Sequence, residues 1–170
     1  MLYLIGNGPM QTTAAFAAVT TGTVIKTMLQ VKPATGVNLV IVEWGISFDA
    51  YAAAAPGKIE LIESDVAATV TASAAADITK YSDPDGPAAN TALVTLGTSA
   101  TGYTATAEGT TTSSRNLDGP MFLAPSTQSF VKQFPLGREP VIAAAKFARI
   151  RVTFAAAVNC YCYMVFGPKS

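Results

Sequence analysis

Apolar and polar residues alternate with a period of two along much of this chain, which is the pattern of strands that bury one face. The clearest case is the segment 40–49, where the large apolar positions are Val40, Val42, Trp44, Ile46 and Phe48. Similar strand-like runs occupy 23–32, 58–63, 129–134, 146–154 and 160–166. No segment shows the periodicity of a convincing amphipathic helix, so the sequence predicts an all-β protein.

The number of strands and their spacing favour one all-β architecture over another. Counting shorter runs near 68–73 and 121–123 gives about eight strands, which fits a two-sheet jelly roll or a closed barrel. One connection, 74–118, is long and rich in threonine, glycine and serine, whereas up-and-down barrels have shorter and more even connections. We therefore predict a jelly-roll β-sandwich of about eight strands with a long loop excursion.

The start of the chain lacks this alternation. We predict an N-terminal arm over residues 1–22 and a jelly-roll domain over residues 23–170. The apolar residues of the arm are Leu2, Tyr3, Leu4, Ile5 and Phe16. These side chains need a surface to cover them, and the sequence leaves open whether that surface belongs to the same domain or to a neighbouring subunit.

Length and charge narrow the classes of partner. A chain of 170 residues suits a single domain with one substantial core. Eleven basic and eleven acidic residues give a net charge of zero without a basic run, so we expect no nucleic-acid partner. Glycines and a proline interrupt the uncharged first 25 residues, so we expect neither a membrane span nor a signal peptide. A lightly charged surface favours a protein that is covered in an assembly.

The residues for common enzyme chemistry are missing. The chain has no histidine, so a serine or cysteine nucleophile lacks its usual base, and a metal site lacks its usual ligands. Cys160 and Cys162 alternate on one strand and point to the same face, which predicts reduced core thiols instead of a disulfide. We expect no catalytic, cofactor-binding or metal-binding residue.

Paired carboxylates offer the remaining route to catalysis, in glycoside hydrolysis. Glu43 and Asp49 share a strand face but lie about 20 Å apart along an extended strand, and Glu60 and Glu63 face opposite sides. Neither pair has the separation that this chemistry requires. Two acidic residues brought together across the sheets would revive the hypothesis.

Arg149 and Arg151 form a small basic stripe that the alternation places on the outer face of its strand. Cross-strand pairing with carboxylates such as Glu43 or Glu139 is the favoured interpretation. Contact with another subunit of a trimer or with a larger assembly is the alternative.

Several segments carry a resemblance to a known family. They are Val42 to Asp49, Phe134 to Pro140 and Arg149 to Thr153, the last followed by Ala157 to Cys160. Over residues 23–167 the chain resembles capsid decoration proteins, also called cement proteins, of tailed bacteriophages. The resemblance implies a tumour-necrosis-factor-like jelly roll, commonly a homotrimer, that sits on the outer capsid surface. The arm and the excursion match less clearly than the strands.

Together with the missing enzyme residues, the resemblance implies a non-enzymatic virion protein, made in the host cytoplasm, that binds major capsid proteins and stabilises their contacts. The candidate interface residues are Leu2, Tyr3, Leu4, Ile5, Phe16, Arg149 and Arg151. The alternative is a receptor-binding or carbohydrate-binding module of a tail or fibre, which would use loop tyrosines. Those tyrosines are Tyr51, Tyr81 and Tyr103.

Overall fold

Two antiparallel sheets build the protein. The structure, a computed structural model, describes residues 1–13, 15, 17–49, 55–88, 92–124 and 129–169. In this part of the chain the only helix is a single 3-10 turn, Ala75–Asp77, and all other regular elements are strands. Every pairing between these strands is antiparallel, so the prediction of an all-β fold is confirmed.

The first sheet contains seven strands among the described residues. They are β1 (Tyr3–Gly6), β2 (Val19–Thr20), β4 (Leu39–Asp49), β7 (Ile78–Lys80), β11 (Ser129–Gln133), β12 (Val141–Ile142) and β14 (Asn159–Pro168). The main order is β11-β4-β14-β1-β7, with β12 beside β4 and β2 beside β14. The long strands β4 and β14 therefore form the centre of this sheet.

The second sheet also contains seven strands in the described part of the chain. They are β3 (Lys26–Val31), β5 (Ala55–Ser64), β6 (Thr69–Ala72), β8 (Gly102–Ala107), β9 (Ser114–Asp118), β10 (Met121–Ala124) and β13 (Phe147–Phe154). The order is β10-β5-β13-β3-β8-β6, with β9 also beside β5. The predicted excursion over 74–118 thus supplies β7 to the first sheet, and β8 and β9 to the second.

Side chains from both sheets meet in one core. Phe48 on β4 and Phe154 on β13 contact each other edge to face, with ring centroids 5.1 Å apart. Trp44 on β4 is fully buried, and its Nε1 donates a hydrogen bond to Asp118 Oδ2 on β9 at 3.2 Å. The two sheets therefore pack face to face as a β-sandwich.

A β-bulge changes which residues of β4 face the core. Trp44, Ile46 and Phe48 are buried as predicted. The prediction was wrong for Val40 and Val42, which are half-buried while their neighbours Leu39 and Ile41 are 1% exposed. Glu43 pairs with Val165 and Ile41 with Phe166, so Val42 is an extra residue opposite β14. An extra residue shifts the alternation of side chains by one position.

The first residues belong to the sandwich and do not form a detached arm. Strand β1 lies between β14 and β7, with Tyr3 opposite Phe166 and Ile5 opposite Ile78. Tyr3 is 4% exposed and Ile5 is fully buried. The prediction of an arm over residues 1–22 therefore fails for residues 3–6, because pairing on both sides satisfies their backbone and the core covers their side chains. Phe16 lies outside the described residues.

Candidate functional site: two interaction surfaces

A pair of tyrosines occupies the outer face of the first sheet. The inner face of β14 carries Cys160, Cys162 and Met164, which are all fully buried. Because side chains alternate along a strand, Tyr161 and Tyr163 point away from the core. Their rings stack with centroids 6.0 Å apart and planes at 23°. Both residues are half-buried, so part of each ring remains exposed to solvent.

Glycines on the neighbouring strands make room for these two rings. A Cβ atom at Gly6 on β1 would lie 2.8 Å from a ring carbon of Tyr161, and one at Gly45 on β4 would lie 2.6 Å from a ring carbon of Tyr163. No side chain fits at either distance, so glycine lets the rings lie across the backbone of the adjacent strands. We call the surface formed by Gly6, Gly45, Val131, Tyr161 and Tyr163 the tyrosine face.

An aliphatic side chain and a carboxylate extend the tyrosine face. Val131 on β11 pairs with Gly45, which pairs with Tyr163, and Val131 is 58% exposed. The Tyr163 hydroxyl donates a hydrogen bond to Glu43 Oε1 at 2.6 Å. Burial and, as the second cause, this hydrogen bond raise the pKa of Tyr163 well above its usual value. The hydroxyl therefore stays protonated at neutral pH. Glu43 is therefore bound to Tyr163 and is not a partner of the arginine stripe.

Arg149 lies on the outer face of the second sheet, as predicted, but it is fully buried. Its guanidinium forms an ion pair with Glu108, a hydrogen bond from Nε to Thr27 Oγ1 at 3.0 Å and one from Nη1 to the Val66 carbonyl at 3.3 Å. Burial lowers the pKa of Arg149, and the charge of Glu108 opposes that shift. The interface role predicted for Arg149 is therefore wrong, because the segment that contains Glu108 covers it.

Arg151 lies two residues further along β13, at the floor of a groove of about 670 Å³ on the same outer face. Its side chain is 18% exposed and its Nη2 pairs with Glu60 at 3.1 Å. Ile25 and Met121 line the groove and are 40% and 78% exposed. Lys58 adds a second positive charge. We call this depression the sheet-two groove.

Among the other residues that the sequence singled out, Leu2 and Tyr81 are neighbours, because the Tyr81 N–H donates to the Leu2 carbonyl at 2.9 Å. Leu2 and Leu4 are half-buried on β1 and its flank, whereas their neighbours Tyr3 and Ile5 face the core. Among the loop tyrosines, Tyr81 is 55% exposed, Tyr103 lies half-buried on β8, and Tyr51 is outside the described residues.

Glu60 and Glu63, one of the two carboxylate pairs considered for catalysis, have separate partners. Glu60 accepts a hydrogen bond from Arg151, and Glu63 pairs with Arg115 at 3.1 Å. In the described part of the chain no three cysteines or acidic residues come together as a metal site. The same part of the chain forms no helix with the length and apolar character needed to cross a membrane.

The two cysteines lie side by side in the core as free thiols. Burial raises the pKa of Cys160 to about 12 and also raises the pKa of Cys162 well above its usual value. Because the thiolate is the reactive form, both thiols are inert in the folded state.

This burial predicts how the thiols and the fold respond to pH. We expect no reaction with a disulfide reagent at pH 8, and release of two equivalents after denaturation. An unfolded chain loses its thiol protons near pH 9, before the folded one. The contribution of the protonated thiols to the free energy of unfolding is therefore complete below pH 9 and is lost as pH rises toward 12. Denaturation midpoints between pH 8 and 11 test the trend. A Cys160→Ala/Cys162→Ala variant should show a shallower decline, and an equal decline would contradict the assignment.

Comparison of the chain with protein-family models and with curated proteins finds no match.

Proposed function

We propose that this protein is a non-enzymatic virion protein that binds the outer surface of a capsid and stabilises contacts between major capsid proteins. The observation that carries the proposal is the presence of two separate, partly exposed surfaces that include apolar side chains, the tyrosine face and the sheet-two groove, on the outer faces of opposite sheets. A protein that holds neighbouring subunits of an assembly together needs more than one such surface. The resemblance of residues 23–167 to phage decoration proteins agrees with this role.

The pairing of strands supports the jelly-roll form of the sandwich. If the excursion strands β7–β9, the edge strand β6 and the two-residue strands β2 and β12 are left aside, eight strands remain. The first pairs with the last, the second with the seventh, the third with the sixth and the fourth with the fifth. A ribbon of antiparallel pairs that wraps into two sheets has this nesting, and it is the arrangement of a jelly roll.

The tyrosine face supports self-association into the homotrimer that the resemblance implies. Aromatic residues are enriched in protein interfaces, where a large rigid ring loses little conformational freedom on binding. Two stacked tyrosines beside an exposed Val131 form an apolar surface with one carboxylate, Glu43. A trimer would present three copies of each remaining surface to the capsid, and several weak contacts would then act together.

The proposal is tested by rebinding the purified full chain to capsids that lack it, together with its mass in solution. We expect saturable co-sedimentation and a mass of three times 17.5 kDa. Replacing Tyr161 and Tyr163 by arginine should reduce the mass to that of a monomer and weaken rebinding, whereas arginine at Leu136, which is 97% exposed in the turn after β11, should change neither. If the full chain does not rebind to these capsids, the capsid role is contradicted.

One observation favours a second candidate, a carbohydrate-binding or receptor-binding module of a tail or fibre. Sugar rings stack on exposed aromatic faces, and Tyr161 and Tyr163 lie flat beside the Glu43 carboxylate, an acceptor for sugar hydroxyls. This candidate requires the tyrosine face to be open to solvent. A monomeric protein that fails to bind capsids and retains glycan binding would favour it over the decoration role.

A further inference from the structure

We propose that the sheet-two groove binds an extended peptide segment in which one carboxylate lies between two apolar side chains. The inference rests on the proposed function, in which that segment belongs to the major capsid protein. Three properties of the groove lead to it, namely its length, its charge and an unused hydrogen-bond donor.

The two apolar walls set the length of the segment. Met121 pairs with Lys58 and Lys58 with Thr153, while Ile25 directly precedes Lys26, the partner of Val152. These residues therefore form a row across four neighbouring strands, with Met121 and Ile25 at its ends. Strands lie about 4.8 Å apart, so the ends are separated by about 14 Å. An extended chain covers this distance in about four residues, so its apolar side chains stand at positions i and i+4.

The charges between the walls select the residue in the middle. Lys58 and Arg151 carry two positive charges, whereas Glu60 supplies one negative charge, so the groove has an excess of one positive charge. In an extended segment, position i+2 faces the same side as positions i and i+4. A carboxylate at i+2 would therefore meet the cations while the flanking apolar residues contact Met121 and Ile25.

Arg151 also has a donor without an acceptor. Its Nη2 donates to Glu60 at 3.1 Å, but its Nε is buried and has no hydrogen-bond partner among the described residues. Buried N–H groups are normally paired, and an arginine can hold two acceptors in a fixed geometry. The Arg151 side chain, which is 18% exposed, can turn this N–H toward the groove, where a carboxylate from the bound segment would supply the missing acceptor.

The occupant is a different chain and not a second copy of this one. No acidic residue of this sequence has large apolar residues at both the second position before it and the second position after it. Glu43, for example, lies between Ile41 and Gly45, and Glu139 lies between Gly137 and Val141. The groove also lies on the opposite sheet from the tyrosine face, so copies that meet through the tyrosine face leave it open.

The first part of the test uses capsids that lack the protein. We expect Met121→Ser and Lys58→Gln each to weaken rebinding of the full chain at least tenfold, and Leu136→Ser to have no effect. Leu136 is a matched control because it is 97% exposed and lies outside the groove. If the wild type binds and the groove variants bind equally well, the groove proposal is overturned while the capsid role stands.

The second part uses a synthetic peptide, Leu-Ser-Glu-Ser-Leu with neutral flanks, titrated into the labelled full chain and followed by NMR. We expect shifts at the Met121 methyl and the Arg151 Nε–H, and at least tenfold weaker binding when glutamine replaces the central glutamate. Equal binding of both peptides, or no shift at millimolar peptide, would overturn the proposal. If the peptide binds but the protein does not bind capsids, the groove proposal stands and the capsid role is rejected.

Discussion

Replacing Arg149 with alanine should lower the free energy of unfolding by about 3–5 kcal/mol, because removal of one partner of a buried ion pair leaves the other without compensation. The guanidinium is fully buried and bonds to Glu108, Thr27 and the Val66 carbonyl. After the substitution the Glu108 carboxylate would keep its hydrogen bonds from the Thr27 N–H and Oγ1, but it would face a cavity with no positive charge. Urea denaturation followed by circular dichroism measures the change.

A surface ion pair serves as the control for this experiment. Arg115 pairs with Glu63, and its side chain is 52% exposed, so Arg115→Ala should cost less than about 1 kcal/mol. The double variant Arg149→Met/Glu108→Met should be more stable than Arg149→Ala, because no charge is left unpaired. If Arg149→Ala and Arg115→Ala cost the same, the buried cluster has no special role in holding the segment around Glu108 against the sheet.

Ile5→Ala should also destabilise the fold strongly, by about 2–5 kcal/mol. Ile5 is fully buried on β1, between β14 and β7, and truncation would open a cavity between the sheets. Leu4→Ala provides a control in the same strand, since Leu4 is half-buried and points to the outer side. We expect Leu4→Ala to cost less than about 1 kcal/mol, and thermal denaturation of both variants to show the difference.

This comparison also separates a strand from an arm. If residues 2–5 formed an arm that docks on a neighbour, both substitutions would weaken capsid binding and leave the isolated protein equally stable. A large loss of stability for Ile5→Ala alone would assign this segment to the core. Equal and small losses of stability for both variants would instead show that β1 is a peripheral segment.

The sequence predicts the strands well where their alternation is regular. Trp44, Ile46 and Phe48 face the core as the pattern indicates. The pattern fails at Val40 and Val42, because the bulge at Val42 arises from the register against β14, and the amino-acid sequence of β4 alone does not mark it. A pairing defect between distant segments cannot be seen in a local periodicity.

Surfaces are harder to predict than strands because they depend on what covers them. Alternation places Arg149 on the outer face correctly, but no local signal shows that the chain around Glu108 folds over it. The tyrosine face was missed, although a signal was present. Tyr161 and Tyr163 alternate with the two cysteines, and Gly45 interrupts an otherwise bulky strand, which marks a close approach by another group.

The pairing of β1 with β14 also governs when the protein can fold during its synthesis. Tyr3 and Phe166 are partners across the middle of the first sheet, so the β1 strand has no neighbour on that side until the last strand leaves the ribosome. At about 5–20 residues per second, that wait is roughly 10–30 s. Throughout it, Ile5 and the strands around it expose apolar surface in the crowded cell. The first sheet is therefore complete only after β14 has emerged, and until then the nascent chain carries unpaired apolar strands that are prone to aggregate.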